Sequence, residues 1–221
     1  MIKRTSNKLF WDKYAYKLGV YNSATQIFRN KRLENARDII DGLELKSGQG
    51  QPLRLKFHRF SQRETDVTEN DFFDLKVLIS HFQDKEDFML RCEGSRLGIY
   101  SNNVNWLKVI AKKLKDVPWL WEPSIPNLQK NTIAVDKDIG FEFKAYLNGT
   151  ADPNFADYCL KNKDKIKAGD RLIRDLQQER NLKGKYIYVK NDSILTIVRL
   201  FLHNNIMRID KLIYQPNTDK Y

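Results

Sequence analysis

Cysteine and histidine are scarce in this chain, which has two cysteines and three histidines among 221 residues. Cys92 and Cys159 lie far apart and form no CxxC pair, which argues against a disulfide framework or a zinc finger. We therefore expect free thiols in a reducing, intracellular and cytoplasmic setting. His58, His81 and His203 form no HxH or HxxxH pair, so we expect no metal site and no cofactor.

Long apolar runs and phosphate-binding loops are also missing. No apolar run approaches the ~18 residues of a membrane span, and the basic start MIKRTSNKLFWDKY lacks the apolar stretch of a signal peptide. The patterns GxxxxGK[ST] and GxSxG are absent. We therefore expect no membrane association and no catalytic residue. A function other than catalysis is the favoured interpretation.

One short string contains the residue types of a metal-dependent nuclease. In DKDIGFEFK, Asp136 and Asp138 precede Glu142 and Lys144. This resembles the Asp…Glu-x-Lys pattern of restriction-type nucleases, in which acids hold Mg²⁺ and the lysine supports the attacking water. The acid lies too close in sequence to Glu142 for a hairpin to place the two side by side. An ordinary alternating strand is therefore the favoured interpretation.

Positive charge is what the chain has in excess. The net charge is +11 and the sequence pI is about 9.5. Basic residues exceed acidic residues in both halves, so the charge is not a detachable tail. A polyanionic partner such as nucleic acid is the natural functional interpretation. The alternative is a Lys- and Asn-rich composition with ordinary solvated surfaces.

The chain contains one unit twice. IYSNNVNWLKVIAKKL, at 99–114, aligns without gaps with IYVKNDSILTIVRLFL, at 187–202. Each unit predicts a short strand, then a helix whose N-cap is Asn103 or Asn191, since an Asn side chain can accept from the first unpaired amides. Apolar residues then recur on one helix stripe. Duplication explains the likeness, although two unrelated strand–helix units could share these common residue types.

A second pairing of segments remains open. LRLKFHRF, at 53–60, and FEFKAYL, at 141–147, both alternate as strands do and share the same sequence offset as the repeat. A rival alignment pairs YAYKLGV, at 14–20, with 141–147, because each segment would open its half of the chain. The sequence does not choose between them.

The order of predicted elements indicates an α+β fold. The first half reads strand 13–22, helix 30–45, strand 52–60, helix 69–83, strands 87–93 and 96–101, and helix 104–115. The second half reads strand 140–148, helices 153–165 and 170–180, strand 185–190, helix 193–203 and strand 206–214. We predict two tandem ferredoxin-like modules of βαββαβ type, with helices on one face of each antiparallel sheet. The first module, with an extra helix, spans 1–117, a Pro-rich linker spans 118–133, and the second module spans 134–221.

The sheet faces away from the helices carry the predicted binding surface. If aliphatic residues such as Leu97 and Ile99 face the helices, the alternate positions point outward and bear tyrosines and cations. RNA-recognition sheets stack bases on such rings and neutralise phosphates with such cations. The predicted nucleic-acid-binding residues are Arg54, Lys56, His58, Arg96, Tyr100, Tyr186, Tyr188 and Lys190.

Three functions are weighed on this basis. The favoured one is non-enzymatic binding of single-stranded nucleic acid, with RNA favoured over DNA. A viral or phage protein is one setting in which such binding is expected. The second is a structural subunit of a larger viral or ribonucleoprotein assembly, in which the same surfaces contact protein subunits. The third rests on tandem ferredoxin-like modules, which also occur in metal-independent CRISPR RNA-processing endoribonucleases, where a His, Tyr or Lys can assist attack by the RNA 2′-hydroxyl. For that activity His58 is the candidate, but the Gly-rich C-terminal loop of that family is absent.

Overall fold

A computed structural model describes residues 1–57, 64–83 and 85–216, leaving aside the side chains of residues 30 and 31. The chain is α+β and divides into two units, Met1–Pro123 and Ser124–Tyr221. Each unit contains a five-stranded sheet with α-helices. No α-helix in the described part of the chain has the length and apolar character needed to cross a membrane.

The first unit contains seven strands and three α-helices among its described residues. The strands are β1 Ile2–Ser6, β2 Tyr16–Tyr21, β3 Arg54–Leu55, β4 Thr65–Asp66, β5 Phe88–Glu93, β6 Arg96–Ser101 and β7 Trp119–Pro123, and the helices are α1 Leu33–Gly48, α2 Glu69–Phe82 and α3 Val104–Lys113. The sheet order is β1-β7-β2-β6-β5, and β3 pairs separately with β4. The β1–β7 pair is parallel, and the other pairs are antiparallel.

Helices α2 and α3 each begin directly after a residue whose side chain caps the first free amides. Thr68 and Asp71 form a reciprocal capping box at the start of α2. At the start of α3, Asn103 Oδ1 accepts a hydrogen bond from the Trp106 amide at 2.9 Å. The predicted Asn103 cap is therefore confirmed.

The core of the first unit lies on one face of its sheet. Alternate strand residues Leu18, Ile99 and Leu120 are fully buried in one cluster with helix residues such as Leu75 and Ile110. The residues between them in the strands point to the opposite side, because side chains alternate along a strand. We call that opposite side the second face of unit 1.

The second unit has fewer strands than the first among its described residues. Its strands are β8 Thr132–Val135, β9 Phe143–Leu147, β10 Ile166–Lys167, β11 Tyr186–Val189 and β12 Ile206–Tyr214, and its helices are α4 Asn154–Lys161, α5 Asp170–Gln177 and α6 Asp192–Leu202. The sheet order is β10-β11-β9-β12-β8, with β8 parallel to β12 and the other pairs antiparallel. Asn191 Oδ1 accepts from the Ile194 amide at 3.1 Å, so the second predicted cap is also confirmed.

The core of the second unit is likewise one-sided. Phe143, Ala145 and Ile187 pack with helix residues such as Leu176 and Val198. The intervening strand residues lie on the opposite side of the sheet. We call that side the second face of unit 2.

The two sheets place corresponding strands alike. Each has an edge strand parallel to its neighbour, β1 on β7 and β8 on β12, followed by β2 or β9 and then β6 or β11. The central positions of β2 and β9 favour the alignment of 14–20 with 141–147. The described residues do not support the alignment of 53–60 with 141–147, because there β3 pairs with β4 and joins neither five-stranded sheet. The outer strands differ, since β5 and β6 are consecutive while α5 separates the two-residue β10 from β11.

The predicted linker at 118–133 contains sheet strands. Strand β7 lies between β1 and β2, and β8 begins at Thr132. The prolines bound β7 instead of interrupting it: the Pro118 carbonyl accepts a hydrogen bond from the Ile2 amide at 2.9 Å, and Pro123 is the last residue of the strand. The boundary between the two units, at Pro123 and Ser124, falls within the predicted linker, whose two ends belong to β7 and β8.

Candidate nucleic-acid interface

The second face of unit 1 presents aromatic and basic side chains in cross-strand rows. One row contains Trp121, Lys17 and Tyr100, and the next contains Trp119, Gly19, Gly98 and Arg91. Side chains directly opposite each other on paired strands lie close enough to interact. The fold therefore brings together rings and cations that are far apart in sequence.

Gly19 and Gly98 allow the Trp121 and Tyr100 rings to pack directly against the sheet backbone. A Cβ atom built on Gly19 would meet Trp121 Cζ3 at 2.7 Å, and one built on Gly98 would meet the Tyr100 hydroxyl oxygen at 2.9 Å. Any larger residue at either position would push the ring away from the sheet. The paired glycines thus form a floor that the two rings cover.

Cations lie against these rings. Lys17 Nζ is 4.7 Å from the centroid of the Trp121 ring and 5.4 Å from that of Tyr100. Arg4 Cζ is 5.2 Å from the Trp121 ring and 5.8 Å from the Trp119 ring. These distances are within the range of cation–π attraction. Burial lowers the pKa of Lys17; Glu93 opposes this shift, and the positive charges of two nearby arginines add to it.

Tyr100 is on the second face of unit 1 but is only 5% exposed. The Phe10 ring lies 5.5 Å from it, and the Trp11 ring lies 6.1 Å away in an edge-on arrangement. Both belong to a turn in which the Phe10 and Tyr14 backbones pair. The expectation that Tyr100 offers a free ring to a base is therefore wrong. Its burial also raises its pKa.

The second face of unit 2 has a comparable arrangement of rings around a lysine. By strand register, one row contains Tyr186, Tyr146 and Arg208, and the next contains Tyr188, Lys144 and Asp210. Lys144 Nζ lies 3.9, 5.0 and 5.6 Å from the centroids of Tyr186, Tyr146 and Tyr188. Tyr186 is 43% exposed and Tyr188 is partly buried, so ring surface remains accessible here.

The hydroxyls of Tyr146 and Tyr188 stay protonated at neutral pH, because the pKa of each is raised. Burial raises the pKa of Tyr146, and the negative charge of Asp210 adds to the effect. Burial also raises the pKa of Tyr188, with a contribution from Tyr186. Asp210 itself is fully buried and accepts a hydrogen bond from Arg208 Nε. The cluster therefore combines tyrosine rings with a lysine and an Arg–Asp pair.

The described part of the predicted basic strand at 53–60 contains β3, which belongs to neither five-stranded sheet. Arg54 Nε lies 2.9 Å from Asp66, and Lys56 Nζ lies 3.5 Å from Glu64, both as exposed ion pairs. Arg54 and Lys56 therefore do not form the expected basic row on a sheet face, because β3 pairs with β4 and both side chains contact acids. His58 lies outside the described residues.

The remaining predicted residues fall on the two second faces or next to them. Arg96 is exposed at the start of β6, where Glu93 is its cross-strand partner. Lys190 is exposed after β11, and its amide donates to the Lys165 carbonyl at 3.0 Å. Sequence reasoning missed several ring and lysine positions that the structure adds: Lys17, Trp119, Trp121, Lys144 and Tyr146. The available signal was the alternation in WLW and the shared lysine of the 14–20 and 141–147 segments.

Nucleophile and metal chemistry find little support among the described residues. Burial raises the pKa of the Cys92 thiol to about 11 and that of Cys159 to about 12, so neither is a thiolate at neutral pH. No group of three or more His, Cys, Asp or Glu side chains suited to a metal ion is found at 1–57, 64–83 or 85–216. The two second faces are suited to binding through stacking and charge.

Models of known protein families, curated protein sequences and solved structures contain no match to this chain. Its function therefore has to be inferred from its own residues.

Proposed function

We propose that the chain is a non-enzymatic protein that binds single-stranded nucleic acid, RNA in preference to DNA. The observation that carries the proposal is the cluster of Tyr146, Tyr186 and Tyr188 around Lys144 on the second face of unit 2. A base can stack on an exposed tyrosine because every base has a π-face, while lysine neutralises the adjoining phosphate.

Both units, we further propose, are ferredoxin-like modules derived by duplication. Support comes from the orders β7-β2-β6-β5 and β12-β9-β11-β10, which both follow the 4-1-3-2 strand arrangement of that fold when the additional edge strand is set aside. The two asparagine-capped helices α3 and α6 occupy equivalent places in this scheme. Such a module keeps its helices on one face of the sheet, which is how RNA-recognition sheets expose the other.

The preference for RNA is supported by the tyrosine hydroxyls. The phenols of Tyr146 and Tyr188 have raised pKa values and remain hydrogen-bond donors at neutral pH. The ribose 2′-hydroxyl, which DNA lacks, can accept or donate such a bond. The net charge of +11 attracts RNA and DNA alike, so it does not contribute to this preference.

Fluorescence anisotropy with labelled single-stranded RNA, single-stranded DNA and duplex RNA across a salt series tests the proposal. We expect affinity to fall steeply with salt, because phosphate contacts release counterions. The double variant Tyr186→Ala/Tyr188→Ala should lose roughly 2–4 kcal/mol if each ring stacks one base. The control Leu200→Ala, an exposed apolar side chain on helix α6, should bind as the wild type does. Weak binding at low salt, or equal loss in the control, would overturn the proposal.

An assembly subunit is the second candidate function, favoured by strand β1. This strand is mostly exposed and has β7 as its neighbour in the described sheet, so its other edge can accept a strand from a partner chain. Sedimentation of the purified protein without nucleic acid distinguishes the two. A stable oligomer that Ile2→Lys disrupts would favour assembly, and a monomer that oligomerises only on RNA would favour nucleic-acid binding.

A further inference from the structure

A small cavity on the second face of unit 1 has walls of two different chemical kinds. Its volume is about 200 Å³. Trp119 and Trp121 form an aromatic side, and the Gly19–Gly98 pair lies in its floor. The charged side chains that line it are Arg4, Lys17, Arg91, Arg96 and Glu93. Among the described residues, the cavity is thus lined by four cationic side chains and one carboxylate.

We propose that this cavity binds one nucleotide, with the base against the tryptophans and the phosphate among Arg91, Arg96 and Lys17. The proposal rests on the proposed function and deepens it, because it gives unit 1 a ligand class of its own. That ligand is a base carrying a phosphate, either as a free mononucleotide or as one nucleotide of a strand.

The size of the cavity supports a single base. Pockets for drug-sized ligands have volumes of roughly 300–1,000 Å³, and this one is smaller. An indole presents a flat apolar surface on which any base can stack. The Arg4 guanidinium lies over both indoles and provides a second planar surface, since bases also stack on guanidinium planes.

The charges support a phosphate. Arginine offers planar paired donors that match phosphate oxygens. Lys17 lies between the Trp121 and Tyr100 rings, which fixes its ammonium beside the place where a base would stack. Glu93 accepts from Arg91 Nε at 2.6 Å and so holds one cation in place while subtracting one charge from the site.

Trp11 extends the aromatic surface beside the cavity. Its ring is 52% exposed, and Arg91 Cζ lies 5.0 Å from its centroid. Trp11 and Asp12 have φ values of 56° and 55°, a left-handed conformation that costs most non-glycine residues energy. Such strain is frequently retained at functional sites, where a side chain must be presented in one direction.

Titration of the full chain with small ligands tests the proposal. Tryptophan fluorescence, checked by calorimetry, would follow binding of AMP, UMP, adenosine and inorganic phosphate. We expect both mononucleotides to bind at least tenfold more tightly than adenosine or phosphate alone. Single-stranded oligonucleotides compete for the same signal if the site also accepts a nucleotide within a strand. Failure of oligonucleotides to compete would assign the site to free mononucleotides. Absence of mononucleotide binding, or equal binding of adenosine, would overturn the proposal.

Charge and position variants sharpen the test. Glu93→Gln should tighten AMP binding about two- to fivefold, because it removes the one negative charge from the site. Arg96→Ala should weaken it about tenfold. Gly19→Ala should also weaken it, because the new methyl group displaces the Trp121 ring. Arg54→Ala, whose guanidinium pairs with acids on the β3–β4 hairpin, is the matched control and should change nothing.

The outcomes separate this inference from the proposed function. If Glu93→Gln and Arg96→Ala leave AMP binding unchanged while each folds as the wild type does, the cavity is not the nucleotide site. If RNA binding is lost in Tyr186→Ala/Tyr188→Ala but AMP binding persists, the two sites are independent and the inference stands. If RNA binding is intact while AMP fails to bind, the proposed function stands and the inference fails.

Discussion

Lys144 Nζ lies 3.9 Å from the centroid of the Tyr186 ring, closer than it lies to the rings of Tyr146 and Tyr188. On β11 the direct cross-strand partner of Lys144 is Tyr188, so the lysine reaches diagonally to Tyr186. In unit 1 the corresponding pair is Lys17 and Tyr100, with a lysine-to-ring distance of 5.4 Å. The two units thus repeat one lysine–tyrosine pair, but Tyr100 is buried whereas Tyr188 is only partly buried.

Replacement of Lys144 tests whether its charge contacts phosphate. We expect Lys144→Met to weaken binding of single-stranded RNA and to reduce the slope of log affinity against log salt by about one unit. Anisotropy titrations at several salt concentrations would measure both quantities.

Lys163→Met is the matched control, because Lys163 is an exposed lysine that follows α4. Its slope should be that of the wild type. An unchanged slope for Lys144→Met would instead assign Lys144 to structural packing among the tyrosines.

The helices and several strands could be predicted because their signals are local. An asparagine cap followed by an apolar stripe defines α3 and α6, and both caps form the expected hydrogen bonds. Strand β12 extends over 206–214 as predicted. Such elements depend on residues within a few positions of one another.

Elements that depend on distant partners could not be predicted in the same way. Strand β1 is polar and mostly exposed, so its identity comes from pairing with β7. The burial of Tyr100 depends on Phe10 and Trp11, which lie some ninety positions earlier and enter a left-handed turn. The alternation in "LRLKFHRF" predicts a sheet strand, but Arg54 pairs with an acid on β4 and Lys56 with an acid just before it.

The two cap residues should contribute similarly to stability. Asn103→Ala or Asn191→Ala should lower the free energy of unfolding by about 1 kcal/mol, because each removes the acceptor for one helix-start amide. Chemical denaturation followed by circular dichroism would measure the change.

Asn105→Ala is the contrasting control. Asn105 lies inside α3 with an exposed side chain, so alanine there should leave stability unchanged or raise it slightly. A loss of equal size at Asn105 and Asn103 would contradict the assignment of Asn103 as the cap.

Asp74 joins α2 to the segment after α3. Its buried carboxylate accepts from the Lys115 amide at 2.7 Å and from the Asp116 amide at 3.4 Å. Asp74→Ala should destabilise the protein by roughly 2–4 kcal/mol, because two amides lose their acceptor. The exposed Asp41→Ala on α1 should cost far less. Thermal denaturation of the two variants side by side would check this, and similar losses would contradict the role of Asp74.

Burial raises the pKa of Asp74 above its usual value, which gives its effect a pH dependence. Between the unfolded and folded pKa values the folded state binds more protons, so the stability of the wild type falls as pH rises through that window. Asp74→Asn removes this titration. The stability difference between wild type and Asp74→Asn should therefore vary across that acidic window and be constant above it.

Lys17 links the stability of unit 1 to its proposed ligand through one charge. Burial lowers the pKa of Lys17 below 10.5, so the unfolded chain holds this proton more tightly than the folded chain does. Between the lowered pKa and 10.5, the unfolded state binds more protons, and the contribution of Lys17 to stability rises with pH. In that same window the folded lysine loses the charge that would attract a phosphate. We therefore expect AMP affinity to fall with rising pH in the window where the Lys17 contribution to stability rises.

Lys17→Met should remove both pH dependences, leaving weaker AMP binding that no longer varies with this titration. Calorimetric titrations and thermal denaturation from pH 7 to 10.5 would measure the two effects, with Lys76→Met on α2 as the control. If the ammonium contacts the phosphate, AMP binding raises the pKa of Lys17. The fall in AMP affinity should then continue to a pH above the pKa that Lys17 has in the free protein. If Lys17→Met binds AMP as the wild type does across the whole range, the ammonium does not contact the ligand and its partial burial serves only the packing of Trp121 and Tyr100.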